Sequence, residues 1–354
     1  MRFYNRISLS FFLLVLCSTS LVAQQDYYFY KPEINYGSIG SANPINLIVT
    51  DGFEMIGILS PSRELNQLQI SKKYSLFKEK FKTPLKDLKE YGFSNVINDE
   101  LFPYNLKESN LNFVPNITAH LLAGGYFYAY LSEYYHYHGF KFPKLMAFGT
   151  VYLKNLANEI IETPLYNYTR VDHLTDLFFW DVLAILTFSS STVKQFFSET
   201  ISISNWSPIP VLSPSSRISN LKNFIALQRA KKTMLFEPVL MLGLGVMGGL
   251  SYALNPSYSL SLLGGSLTQF VYKKYSGRKD ILLESITTRE AAGLFLDKNN
   301  SLMASLIVKN DKDQFMRLNI FPGLVNNQLG AYVEIGKYPI FGLTFRSLGF
   351  GISN

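Results

Sequence analysis

Residues 238–272 read PVLMLGLGVMGGLSYALNPSYSLSLLGGSLTQFVY, a run from Pro238 to Tyr272 without a single charged side chain. Two structures fit such a run, and they lead to different folds. As a membrane helix, Val239–Leu254 lies between Pro238 and Pro256 and is too short, because a spanning helix needs about 20 apolar residues. Its Gly245 and Gly249 do carry the small-xxx-small spacing of packed helices. As a hairpin, Asn255-Pro256-Ser257 is the turn and the flanks are strands. The downstream sequence favours strands. Phe315–Phe321, Ala331–Ile335 and Phe341–Phe345 alternate apolar with polar or small residues, and Asp297–Asn300 and Asn310–Asp313 supply polar turns. About seven or eight short strands fit between Leu235 and Phe350. We therefore expect an antiparallel β meander or small barrel over 234–354. Alternation shows that one face is apolar without saying what covers it; the charge-free hairpin and the Gly, Tyr and Phe content favour lipid.

Upstream, Ser207-Pro-Ile-Pro-Val-Leu-Ser-Pro214 and the basic Arg229-Ala-Lys-Lys232 mark 207–233 as a Pro/Ser-rich linker. Helix-patterned runs precede it at Thr118–Tyr137, Lys144–Glu162 and Asp172–Phe197, predicting a helical module over 113–206. Their charge-free stretches are too short to cross a bilayer, so a helical bundle or interfacial helices are expected. From 24 to 112 the composition is mixed. It predicts an irregular lead-in with one amphipathic helix over Leu76–Tyr91, broken near Pro84. The predicted class is α+β, a membrane-associated helical module followed by antiparallel β structure.

The N-terminus places this fold in a compartment. Arg2 and Arg6 precede the apolar Leu9–Leu16, and small residues lead to Ala23, the pattern of a signal peptide over 1–23. Cys17, the one cysteine, lies inside it, so the exported chain is expected to carry no thiol and no disulfide. Only 17% of residues are charged, against about 25% in soluble domains. The net charge of +7 is scattered rather than gathered into a basic stripe, which excludes nucleic acid as the expected partner. Membrane lipids and other envelope proteins are the expected partners, with the outer membrane as destination and the periplasm as the alternative.

The helical module also carries ionisable residues that its apolar surroundings should resist. Glu159 and Glu162 share a helix face with Asn155 and Asn158 beside them. Asp172 and Asp176 are four apart, His173 is spaced to meet Asp176, and Asp181 follows. His120 opens the first run, four residues before Gly124-Gly125, where a neighbouring backbone could come close. Short loops would converge these faces into one polar pocket. The candidates for chemistry are His120, Glu159, Glu162 and Asp176. Asn116, Asn155, Asn158, Asp172, His173 and Asp181 are read as a supporting polar network. Three readings compete: a hydrogen-bonded network that locks the bundle, an acid–base pair of carboxyls with shifted pKa, and a divalent-metal site. No His-Glu-x-x-His spacing is present, so neither the metal nor any cofactor is specified. Gly243-Leu-Gly-Val-Met-Gly248 matches GxGxxG in letters but lacks the strand–turn–helix context of dinucleotide sites.

The order Asn116-Ile-Thr-Ala-His120, Asn158-Glu-Ile-Ile-Glu-Thr-Pro164, Val171-Asp-His-Leu-Thr-Asp176 and Asp181 resembles the helical module of VanZ-like and YfiM-like envelope proteins. It is similar above all to a family of exported Gram-negative proteins in which that module precedes C-terminal β structure. The resemblance covers under a quarter of the chain. It departs from the pattern after Asp176, where Phe178, Phe179 and Trp180 replace the usual small residues. It implies an envelope protein without an assigned activity. The expected role is structural or accessory. The alternatives are an enzyme acting on a lipid or envelope substrate, and a small channel lined by Arg317, Asn319 and Glu334.

Overall fold

The computed structural model describes residues 27–59, 65–102, 112–165, 171–230, 234–275 and 282–353; the expected signal peptide lies outside them. The class is α+β, with a mixed sheet of thirteen strands among the described residues. In chain order the strands are β1 Ile201–Asn205, β2 Val211–Leu212, β3 Ile218–Ser219, β4 Phe224–Arg229, β5 Phe236–Gly243 and β6 Gly245–Ala253. They continue as β7 Tyr258–Tyr275, β8 Leu282–Lys298, β9 Ser301–Lys309, β10 Met316–Ile320, β11 Gly330–Ile335, β12 Ile340–Thr344 and β13 Gly349–Ser353. Their order in the sheet is β1-β4-β5-β6-β7-β8-β9-β10-β11-β12-β13-β2-β3.

The turns explain the meander. At β6–β7 the Asn255 side chain accepts from the Ser257 and Tyr258 N–H groups, as an Asx turn should. At β8–β9, Asn299 and Asn300 both take positive φ, the requirement of a tight two-residue hairpin. One turn escapes the polar-residue rule. Leu244 sits between Gly243 and Gly245, which pair with each other across β5 and β6. Gly245 has φ +131°, and a Cβ on Gly243 would fall 1.9 Å from the Asn223 carbonyl oxygen. The GxGxxG letters therefore mark a strand–turn–strand corner.

The β structure starts well before residue 234. β1 belongs to the span expected to be helical, and β2, β3 and β4 occupy the expected linker. Pro208, Pro210 and Pro214 disguise β2, yet a two-residue strand leaves them outside the ladder. The Pro210 carbonyl still accepts from the Gly349 N–H at 2.7 Å. β2 pairs with β13 in parallel, the one departure from antiparallel pairing among the described residues. The same short connections, 206–210 and 220–223, link strands at opposite ends of the order. Trp206 donates its N–H to the Phe224 carbonyl, and the Asn220 amide donates to the Ile209 carbonyl and to Asn319 on β10. The sheet is thereby curled around this segment.

Its outer face is apolar, while its interior holds both an apolar cluster and a row of polar side chains. One cross-strand row runs Pro238, Leu250, Leu262, Leu294, Leu306, Leu318, Val333, Phe341 and Ile352 through β5 to β13. Every member is apolar, and none is buried. The adjacent row runs Glu237, Ser251, Ser261, Phe295, Ser305, Asn319, Tyr332, Gly342 and Gly351. It points inward, with Ser261 and Tyr332 fully buried beside Glu237 and Asn319. Further along β10 and β11, Arg317 and Glu334 are also internal. The interior is filled by Trp206, Ile209, Met247, Leu263, Phe295 and Phe321, with the Trp206 ring stacked on Phe295 at 5.5 Å.

The helical module covers one outer arc of this sheet. Ile203 on β1 and Ile225 on β4 join a core with Tyr126, Phe127, Tyr130 and Phe188. Its central helix, Gly125–Tyr137, buries almost every residue up to Tyr135. A Cβ on Gly125 would sit 2.3 Å from the Phe188 ring, so the close neighbour expected there is an aromatic ring rather than backbone. The lead-in is more ordered than its composition predicts. Helices Pro44–Gly52, Ile70–Lys82 and Pro84–Tyr91 are present, with the expected break at Pro84. The first is capped by Asn43, whose side chain accepts from the Asn46 N–H at 3.0 Å. The third helical run is also interrupted, bending by 82° between Asp172–Ser189 and Ser191–Thr200. Among the described residues no single helix is long and apolar enough to cross a membrane.

Candidate functional site

Helix Pro143–Glu162 builds the site. Its buried stripe begins apolar, with Ala147 and Val151, and continues at the same helical spacing through Lys154, Asn155, Glu159 and Glu162. The fold thus turns charged side chains inward on a face that starts as core. Lys73 secures the end of this helix by donating to the carbonyls of Ile161 and Thr163, the latter at 2.8 Å, where a cation also suits the helix dipole.

Across from Glu159, helix Asn112–Gly124 supplies His120 and the segment Asp172–Ser189 supplies Asp172, Asp176 and Asp181. His120 and Asp176 both stand on π-wound stretches, a winding that recurs at functional sites. The His120 Nδ1 lies 2.7 Å from Asp181 Oδ1, and its Nε2 lies 3.7 Å from Asp176 Oδ2. Ligand-type atoms of His120, Glu159 and Asp176 come within 4.8 Å of one another, and so do those of Glu159, Glu162 and Asp172. All of these side chains are buried. Burial alone would pull the His120 pKa down. The carboxylates of Asp176 and Asp181, the Asp181 hydrogen bond and Glu159 outweigh it and push the imidazole up to about 10.

The four candidates for chemistry, His120, Glu159, Glu162 and Asp176, therefore share one centre, together with Asp172 and Asp181. The remaining network residues are less central. Asn155 accepts from Lys154 at 2.9 Å, Asn158 is half-buried on the same helix, and Asn116 lies on the backbone of Asn112–Gly124. The His173 ring packs against Phe77 and Phe81 from the lead-in, with Nδ1 3.8 Å from Asp172.

Sequence reasoning missed a second layer. Lys154 Nζ is 2.7 Å from Asp51 Oδ2, both side chains being at most 5% exposed. Burial raises the Asp51 carboxyl, against the opposing pull of Lys154. Glu54 accepts from the Asn223 N–H at 2.5 Å. Burial and the nearby Asp51 lift it to about 8. The readable signal was Lys154 itself, a lysine at a core position of an amphipathic helix, which must find an anion. Its partner could not be read, because it lies 103 residues away in the segment expected to be irregular.

No protein-family model, curated protein or solved structure matches this chain. The resemblance to VanZ-like and YfiM-like modules is neither supported nor excluded by them.

Proposed function

We propose that this chain is an envelope protein that inserts its curled sheet into a bilayer, with the outer membrane as its destination, and holds the helical module against one flank of that sheet. The observation that carries this reading is the unbroken apolar outer row across nine strands, backed by an inner row that buries Glu237, Ser251, Ser261, Ser305 and Asn319. A soluble sheet covers its apolar faces, whereas lipid-facing barrels carry an apolar band on the outside. Exposed apolar surface on this scale marks a membrane or partner contact. Membrane lipid is the partner implied, and the role is structural or accessory: the sheet anchors, and the acid–imidazole cluster ties three helical segments together. Expression with its leader in a Gram-negative host tests this. The chain should sediment with outer membranes and resist carbonate and urea extraction. Recovery in the soluble periplasmic fraction overturns it.

A second reading is an enzyme acting on a lipid or envelope substrate through His120, Glu159, Glu162 and Asp176. What favours it is the placement of His120 between two carboxylates, which orients the ring for proton transfer. Loss of a lipid-profile phenotype in a folded E159Q variant would support it. The channel reading is opposed by the filled interior, and planar-bilayer conductance above background would revive it.

A further inference from the structure

We infer that the helical module binds one divalent transition-metal ion through His120, Glu159 and Asp176, with Asp181 as the positioning residue of the histidine. The first support is geometric: one imidazole and two carboxylates from three separate elements, all buried, offer atoms within 4.8 Å of one another. The second comes from the imidazole. Asp181 engages Nδ1 at 2.7 Å, which is how metal-bound histidines are oriented by an outer carboxylate. That leaves Nε2 facing Asp176 at 3.7 Å, too far for a hydrogen bond and suited to two ligands on one ion. The other Asp181 oxygen, Oδ2, is buried with no hydrogen-bond partner, a further acceptor in a centre already rich in negative charge. One imidazole among carboxylates selects zinc, manganese or iron over calcium or magnesium, which take oxygen ligands almost alone.

This inference does not depend on the membrane reading, since it concerns only the helical module. The alternative is an imidazolium held between Asp176 and Asp181 with no ion. The two are separable on the full-length protein, purified in detergent, stripped with chelator and reloaded with Zn²⁺ or Mn²⁺. We expect about one equivalent of metal to be retained after gel filtration, with a proton released on uptake. H120Q, E159Q and D176N should each abolish retention. D181N should weaken it by about 10- to 100-fold while preserving the fold. E79Q, at an exposed side chain paired with Lys82, should leave it unchanged. Wild-type protein that retains no ion, or D181N that binds as tightly as wild type, overturns the assignment. Should H120Q fail to fold, the D181N affinity and the visible spectrum of Co²⁺-loaded wild type decide the matter. Absence of a histidine–cobalt signature counts against the site.

Discussion

Lys154→Met removes the cation from a pair that water does not reach. Lys154 Nζ lies 2.7 Å from Asp51, and both side chains are at most 5% exposed. Met fills nearly the same volume, so the change isolates charge from packing. It also forfeits the placement of Nζ over the Phe127 ring at 5.7 Å, a minor contribution. Removing one partner of a buried ion pair costs about 3–5 kcal/mol, because the other charge is left in a low dielectric. The companion D51N/K154M variant leaves no buried charge at this point and should come within about 1 kcal/mol of wild type. The two tryptophans make the assay local. Trp180 lies in the helical module and Trp206 inside the sheet, so in a W206F background Trp180 fluorescence reports unfolding of the module. Denaturant midpoints for wild type, both single variants and the double variant give the coupling energy. A K154M cost below about 1 kcal/mol, or a double variant no better than K154M, would mean that the pair is solvated and the reasoning wrong.

Other perturbations test neighbouring parts of the account. Glu54, raised to about 8, keeps a proton in the folded state that the unfolded chain releases near its ordinary value. Its contribution to stability is full below about 4.5 and is lost as pH rises toward 8. E54Q should flatten that slope of the unfolding midpoint, and an unchanged slope would remove Glu54 as its source. His120 acts in the same direction over a higher window, from its ordinary value of 6.5 to about 10. In chelator-treated protein, wild type should lose stability across that window, and H120N should show a shallower decline by the same fluorescence assay. Gly249→Ala would put a Cβ 2.0 Å from the Leu262 carbonyl oxygen. It should destabilise the β6–β7 pairing by about 1–3 kcal/mol, seen as a lower Trp206 midpoint in a W180F background.

Local chemistry was legible wherever the structure obeys local rules. The Asn255 and Asn299-Asn300 turns, the β10, β11 and β12 strands, and the break at Pro84 all follow from turn and alternation signals within a few residues. The convergence of His120, Glu159 and Asp176 was legible for another reason: charged residues on apolar helix faces have few places to go. The illegible parts depend on distant partners. β4 is apolar on both faces, since Phe224 and Ala226 face the sheet interior while Ile225 faces the helices, so it shows no alternation. The Leu244 corner hides in an apolar run because two glycines, rather than polar residues, make the turn. Asp51 and Glu54 look like loop residues until Lys154 and Asn223 are brought beside them. The outward direction of the apolar face required the cross-strand register, which no single strand contains.

That direction is also where the account can be tested most directly. In a chain whose own tryptophans are replaced by W180F and W206F, Leu262→Trp places a fluorophore on the middle of the outer row. The same chain with Trp206 restored and Leu262 kept carries one in the sheet interior instead. Reconstituted into vesicles with brominated acyl chains, the Trp at 262 should be strongly quenched and insensitive to aqueous iodide, while Trp206 should respond to neither. Iodide quenching at 262 without bromine quenching would place the apolar row in water, and the exposed apolar face would then need another explanation.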